Sequence, residues 1–137
     1  MFNEGQLQGI LLTTARPEVT AYQSQSKTGW TIRTRIMFRA KKSFLIALQR
    51  KFEQLEIDSI LRLIEGVNRE SPVLIVGKRD SIKILRDLMP DYIPCSHANW
   101  ELIDKVIADM QDKKHLEEEG MNGLIELITN ERKRKEI

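Results

Sequence analysis

The chain is poor in the residues from which most catalytic and metal centres are built. Among 137 residues it has one cysteine, Cys95, and two histidines, His97 and His115. A single cysteine excludes an intrachain disulfide and a cysteine-based metal cluster. The two histidines fall in different segments, and neither has a companion at metal-ligand spacing. His115, just ahead of a helical pattern, reads as a local hydrogen-bonding group. A nucleophilic triad at Cys95 and His97 would need an orienting carboxylate, and none is indicated. No glycine-rich phosphate loop is present either, because Gly77-Lys78 lacks both the preceding glycines and the following hydroxyl. No apolar run reaches the length of a membrane span, and the first residues lack the basic start and cleavage signal of a secreted protein. A cytoplasmic protein without a membrane partner is the expectation. Apolar residues make up 41% and charged residues 31%, which fits a globular chain of one domain with a sizeable core.

A second absence is more informative. Between Val19 and Phe52 there is no acidic residue, whereas eight basic ones occur: Lys27, Arg33, Arg35, Arg39, Lys41, Lys42, Arg50 and Lys51. From Asp87 onward the balance reverses, with 12 acids against 7 bases. A long stretch of one sign sets up a field whose natural partner is a phosphate backbone. Chance clustering on a solvated surface is the competing explanation. Metal-assisted phosphodiester hydrolysis would need carboxylates on the same side. Glu4, Glu18 and Glu65 are available only at its margins.

The chain is organised around a first short helix, about Glu4 to Thr14. Leu7, Ile10, Leu11 and Leu12 give it an apolar girdle, and Gly5 and Gly9, four apart, share one face. Glycine weakens a helix, so two at this spacing suggest that another backbone comes close. The alternative is an ordinary helix with two poorly placed glycines.

Arg16-Pro17 breaks the helical pattern. Glu18 to Gln23 then reads as a strand, and Ser24 to Gly29 as a hairpin turn. Trp30 to Arg39 is the clearest strand: Ile32, Thr34, Ile36 and Phe38 form one face, and Thr31, Arg33, Arg35, Met37 and Arg39 the other. Lys41 to Leu55 is a helix buried through Phe44, Leu45, Leu48 and Phe52. Glu56 to Glu65 is expected as a third strand and Val67 to Ser71 as a turn, with Pro72 opening the strand Val73 to Val76. Asp80 to Leu88 returns as a helix, and Met89 to Ser96 is irregular. Asn99 is expected to cap a helix carrying Trp100, Ile103, Val106, Ile107 and Met110. A last helix, about Leu116 to Glu131, buries Met121, Leu124, Ile125 and Ile128. The basic run Arg132-Lys133-Arg134-Lys135 either adds phosphate affinity or suits the negative end of the helix dipole.

The order helix-hairpin-helix-hairpin-helices, opening with Leu7-Gln8-Gly9-Ile10-Leu11-Leu12-Thr13-Thr14-Ala15, resembles the LAGLIDADG homing endonucleases. Lys114-His115-Leu116-Glu117-Glu118-Glu119-Gly120, Phe38, the segment Ser71 to Gly77, and Leu88-Met89-Pro90 carry the likeness further, over about Gly5 to Asn130. The resemblance implies an α+β fold of αββαββα order, with a four-stranded antiparallel, saddle-shaped sheet and helices on one face. Residues 1–131 would form a single such domain, one structural half, and residues 132–137 a basic tail. It also implies signature helices packed together, so a homodimer through Gly5, Gly9 and Leu12. Leu7 and Gly9, which serve that packing, are retained.

The departures concern chemistry. The family's metal-binding acid falls at Thr14, and its earlier motif aspartate at Leu12. Its supporting glutamine falls at Arg39, and its later basic residue near Cys95 or His97. A hydroxyl does not hold Mg²⁺ as a carboxylate does. The expectation is therefore a sequence-specific binder of double-stranded DNA that lacks cleavage and needs no cofactor. Thr20, Tyr22, Lys27, Thr31, Arg33, Arg35, Arg39, Lys41 and Lys42 would face the DNA. Arginines suit guanine edges, and lysines suit phosphates. Two alternatives stand beside it. One is a Mg²⁺-dependent endonuclease with a displaced ligand such as Glu18, or with an intact partner half. The other is an RNA-binding intron-splicing helper.

Overall fold

Asn3 starts the first helix by a reciprocal pair of hydrogen bonds. The Gln6 backbone N–H donates to Asn3 Oδ1 at 2.8 Å, and the Asn3 N–H donates to Gln6 Oε1 at 2.9 Å. Two of the donors that every helix start leaves unpaired are thereby satisfied. The computed structural model describes residues 2–64, 70–89 and 98–136. Helix α1 is Glu4–Thr13, followed by β1 (Ala15–Gln23), β2 (Trp30–Arg39), α2 (Lys42–Gln54), β3 (Ile60–Ile64) and β4 (Glu70–Val76). Helices α3 (Arg79–Leu88) and α4 (Ala98–Gln111), a 3₁₀ turn at Lys114–Leu116 and α5 (Glu118–Glu136) complete the order. The strands form one antiparallel sheet in the order β1-β2-β4-β3. The α+β class and the helix-hairpin-helix-hairpin-helices order expected from the sequence are therefore present.

Internal contacts divide the chain into two compact units. One comprises Met1–Pro17 and Arg35–Ser96, and the other Glu18–Thr34 and His97–Ile137. The core of the first unit includes Leu7 and Leu11 of α1, Ile36 and Phe38 of β2, Leu45, Leu48 and Phe52 of α2, Val73 to Val76, and Ile82 and Leu85 of α3. Phe38 and Phe52 meet edge-to-face at 5.4 Å between ring centroids, and Phe2 meets Phe44 at 5.5 Å. The second unit buries Val19, Ile32 and Thr34 from its strands, Trp100, Ile103, Val106, Ile107 and Met110 from α4, and Met121, Leu124 and Ile128 from α5. Each large apolar side chain so enclosed contributes roughly 1.5–3 kcal/mol before chain entropy is counted. The helical stripes and the β2 face match the sequence periodicity, except that Phe44 and Ile125 are only half-buried.

Several boundaries differ from the sequence reading, each for a local reason. Strand β1 begins at Ala15 and runs through Pro17, which is buried. It lies at the sheet edge, where a missing N–H need not interrupt a ladder. Strand β3 starts only at Ile60, because α2 ends in a Schellman turn that uses the intervening residues. Glu56 adopts a left-handed φ of 61°, its N–H bonds Glu53 O at 3.1 Å, and the Ile57 N–H bonds Phe52 O at 2.8 Å. Ile57 is then buried, and the Asp58 N–H donates to Ser81 Oγ at 3.0 Å.

Strand β4 starts at Glu70 rather than Val73, so Pro72 lies inside a central strand. The sheet absorbs it by an irregularity: Arg62 pairs with Val73 but Ile64 with Glu70, so Ser71 and Pro72 fall in the register shift. Asn99 is the second residue of α4, and its side chain lies outside the described residues. Helix α5 starts at Glu118, after the 3₁₀ turn, and its backbone continues to Glu136. Glu70 and Ser71 of the expected turn belong to β4, whereas its residues 67–69, Cys95 and His97 lie outside the described residues, as do the side chains of the 132–135 run.

Candidate nucleic-acid interface

In the second unit the β1–β2 turn is held by hydroxyls as much as by backbone. The Ser24 N–H donates to Gly29 O at 3.0 Å, the Gly29 N–H to Ser26 O at 2.9 Å, and Gly29 takes a φ of +80°. Ser26 Oγ donates to Trp30 O at 2.7 Å, and Thr31 Oγ1 to Ser24 Oγ at 2.7 Å. Thr31, expected among the contact residues, thus has its hydroxyl engaged in shaping the turn. Lys27 is exposed at the tip, and Tyr22 is 46% exposed on β1. Thr20 is half-buried, with Oγ1 enclosed and without a hydrogen bond among the described residues. Arg33 is exposed and stands 3.8 Å from the Glu18 carboxylate, Nη2 to Oε1. The Glu18 offered as a displaced metal ligand is therefore beside a guanidinium.

In the first unit β2 continues with the same alternation. Arg35 is half-buried and Arg39 exposed, while Ile36 and Phe38 are fully enclosed. Arg39 Nη1 donates to Ser71 Oγ of β4 at 3.2 Å, a partner the sequence did not suggest because the residues lie far apart along the chain. Lys41 is the N-cap of α2 and Lys42 its first residue, both exposed. No side chain caps this helix start, and its first turn has no acid. Backbone N–H groups, the positive helix end and two ammonium groups therefore coincide.

Helix α1 turns Leu7 and Leu11 inward, whereas Gly5, Gly9 and Thr13 are exposed and Leu12 is half-buried. A Cβ added at Gly9 would meet nothing within 4 Å, and one at Gly5 only Asn3 Oδ1 at 3.5 Å. Among the described residues no backbone accounts for the glycines. At the helix end, Thr13 Oγ1 donates to Gly9 O at 2.7 Å and lies 3.4 Å from Thr14 Oγ1. The two positions where the family resemblance implies acids, Leu12 and Thr14, supply one alkyl group and one hydroxyl. Divalent magnesium takes hard anionic oxygens, so this donor set does not fit it. Among the described residues no group of three or more His, Cys, Asp or Glu side chains is placed to hold a metal ion. No described helix is long and apolar enough to cross a membrane.

No protein-family model matches the chain, and no curated protein matches it in sequence. Solved structures match it closely in fold. The homing endonuclease I-TnaI superposes with a TM-score of 0.76 at 16% identity, over 94% of this chain and 87% of its own. The LAGLIDADG meganuclease I-CpaMI, bound to uncleaved DNA, gives 0.75 at 18% identity. The LAGLIDADG homing endonuclease I-LtrWI, bound to target DNA, gives 0.75 at 21%. This chain is covered to 93% in both of the latter, but spans only 43% of their length. The chain has the fold of the LAGLIDADG homing endonucleases.

Proposed function

We propose that this protein binds double-stranded DNA sequence-specifically, as a homodimer and without cutting it. The observation that carries the reading is β2: beyond the half-buried Trp30 at its start, its exposed and half-buried positions are Thr31, Arg33, Arg35, Met37 and Arg39, on a fold shared with DNA-bound meganucleases. Arginine offers a bidentate fork that matches the guanine edge in the major groove. Lys41 and Lys42, at the uncapped start of α2, suit phosphates and would set position rather than sequence. Lys27, Tyr22 and Thr20 extend the contact on the hairpin. Two copies are supported by the chain spanning 43% of the larger neighbours and by the uncovered Gly5–Gly9 face of α1. The lack of cleavage is supported by Leu12 and Thr14 at the implied acidic positions.

The experiment is selection of bound sequences from random duplexes, followed by competition with structured RNA at fixed salt. A recovered, partly palindromic site that duplex DNA holds against RNA supports the reading. Preference for RNA, or no enriched duplex, refutes it.

A further inference from the structure

The second unit contains a cavity of about 440 Å³ between the β1–β2 turn and the stretch from the end of α4 into α5. That volume lies within the roughly 300–1,000 Å³ typical of small-molecule sites, which are mostly apolar with a few placed polar groups. Its apolar walls are Trp30, Ile32, Met110, Leu116 and Met121. An indole and two thioethers favour a flat aromatic ring, which stacks on the one and meets the polarisable sulfurs of the others.

The polar part of the lining selects for charge. Ser26 Oγ and Thr28 Oγ1 both reach Trp30 O, at 2.7 and 3.2 Å, and Thr31 Oγ1 donates to Ser24 Oγ, so these hydroxyls already have acceptors. Lys27 lines the same cavity, is exposed and forms no ion pair among the described residues. His115 and the Trp30 indole are the other nitrogen-bearing side chains there, and none of the described lining residues is acidic. An ammonium at the rim of an apolar enclosure with no carboxylate in its lining complements an anion that carries an apolar body.

We propose that this cavity binds a small aromatic carboxylate, with its ring among Trp30, Met110 and Met121 and its carboxylate at Lys27. Lys27 is shared with the DNA contact proposed for the hairpin, so the titration is made without DNA. The test uses the full chain with ¹³C-methyl-labelled methionine, titrated with 2-naphthoate and with the neutral 2-naphthamide. The Met110 and Met121 methyl signals should shift saturably, while those of Met37 and Met89, in the other unit, stay in place. Loss of the charge-assisted contact should make the amide bind about tenfold more weakly. Lys27→Met, at an exposed turn position, should abolish that preference. Leu116→Trp, at a residue 53% exposed, should narrow the mouth and weaken both ligands. Equal shifts at all methionines, or none at Met110 and Met121, would overturn the proposal. So would an acid preference that survives Lys27→Met. Shifts that follow protein concentration alone, with naphthoate dissociating a dimer in sedimentation, would assign the cavity to a second copy and equally refute it.

Discussion

Arg33 and Glu18 face each other on the β1–β2 hairpin with Nη2 and Oε1 3.8 Å apart, their side chains 51% and 30% exposed. At that distance and exposure the pair is weak, about 0–1 kcal/mol, so a nucleic acid can take the guanidinium over at little cost. The carboxylate nonetheless opposes an approaching phosphate. Glu18→Gln should therefore raise DNA affinity at low salt by about twofold to fivefold, for all sequences alike. Arg33→Ala should instead lose about 1–3 kcal/mol and flatten preference at one base position. Binding to a panel of single-base target changes reads both. If Arg33→Ala and Arg35→Ala each leave the preference profile intact, β2 does not read sequence.

Lys42 separates a functional from a structural role by sign. A cation in the first turn opposes the helix dipole, so Lys42→Glu should stabilise the folded chain by about 0.3–1 kcal/mol. The same change should weaken binding to every DNA sequence. Lys41→Ala with Lys42→Ala should lower the slope of log affinity against log salt by about 2, if each lysine neutralises one phosphate. Thermal unfolding together with titrations at two salt concentrations checks this. Unchanged DNA affinity in Lys42→Glu would remove the α2 start from the interface.

Gly9 admits a similar division. Nothing among the described residues lies within 4 Å of a Cβ added there, so alanine is sterically accepted by the monomer. Gly9→Ala should stabilise the monomer by about 0.5–1 kcal/mol through helix propensity. Gly9→Leu adds bulk on the uncovered face and should leave the fold intact while dissociating the dimer. Sedimentation at one micromolar concentration compares them. A monomeric wild-type protein even with DNA bound, or an undisturbed dimer in Gly9→Leu, would refute assembly through α1.

The parts legible in the sequence were those governed by periodicity. The alternation from Trp30 to Arg39 gave the strand and its buried face, and the spacing of Trp100, Ile103, Val106, Ile107 and Met110 gave the stripe of α4. Turn chemistry from Ser24 to Gly29 located the hairpin. What escaped depended on tertiary position. The sequence places Pro17 ahead of its strand and Pro72 at the start of the next, yet an edge strand and a register shift accommodate both inside strands. Asn3 and Gln6 did carry a readable capping-box spacing. The Arg39–Ser71 bond and the cavity beside Trp30 had no local signal, because each joins residues distant in sequence.

Glu56 is the residue that hid the late start of β3. Its φ of 61° is costly for a side chain with a Cβ, by about 1–2 kcal/mol, whereas glycine adopts it readily. After subtracting glycine's greater loss of entropy, Glu56→Gly should stabilise the chain by about 0.5–1 kcal/mol. Urea unfolding measures it. A loss of stability would mean that the left-handed turn is not under strain.

The proposal of binding without cleavage rests on the residues at the end of α1. At the end of α1 the donors are the Thr13 and Thr14 hydroxyls, 3.4 Å apart, with Leu12 beside them. A neutral hydroxyl neither neutralises a divalent ion nor lowers the energy of a developing oxyanion through it. The protein should therefore leave its own selected target uncut in Mg²⁺ or Mn²⁺, and binding should be insensitive to chelator. The target must be the selected one, since arbitrary DNA tests a site-specific nuclease poorly. Thr14→Asp supplies the missing charge at a half-buried helix cap and should make DNA binding Mn²⁺-dependent, even if no strand is cut. Specific cleavage by the wild-type chain that disappears in Glu18→Gln would overturn this reading and identify Glu18 as the replacement ligand. Cleavage that survives Glu18→Gln would overturn it as well and place the metal on residues other than Glu18.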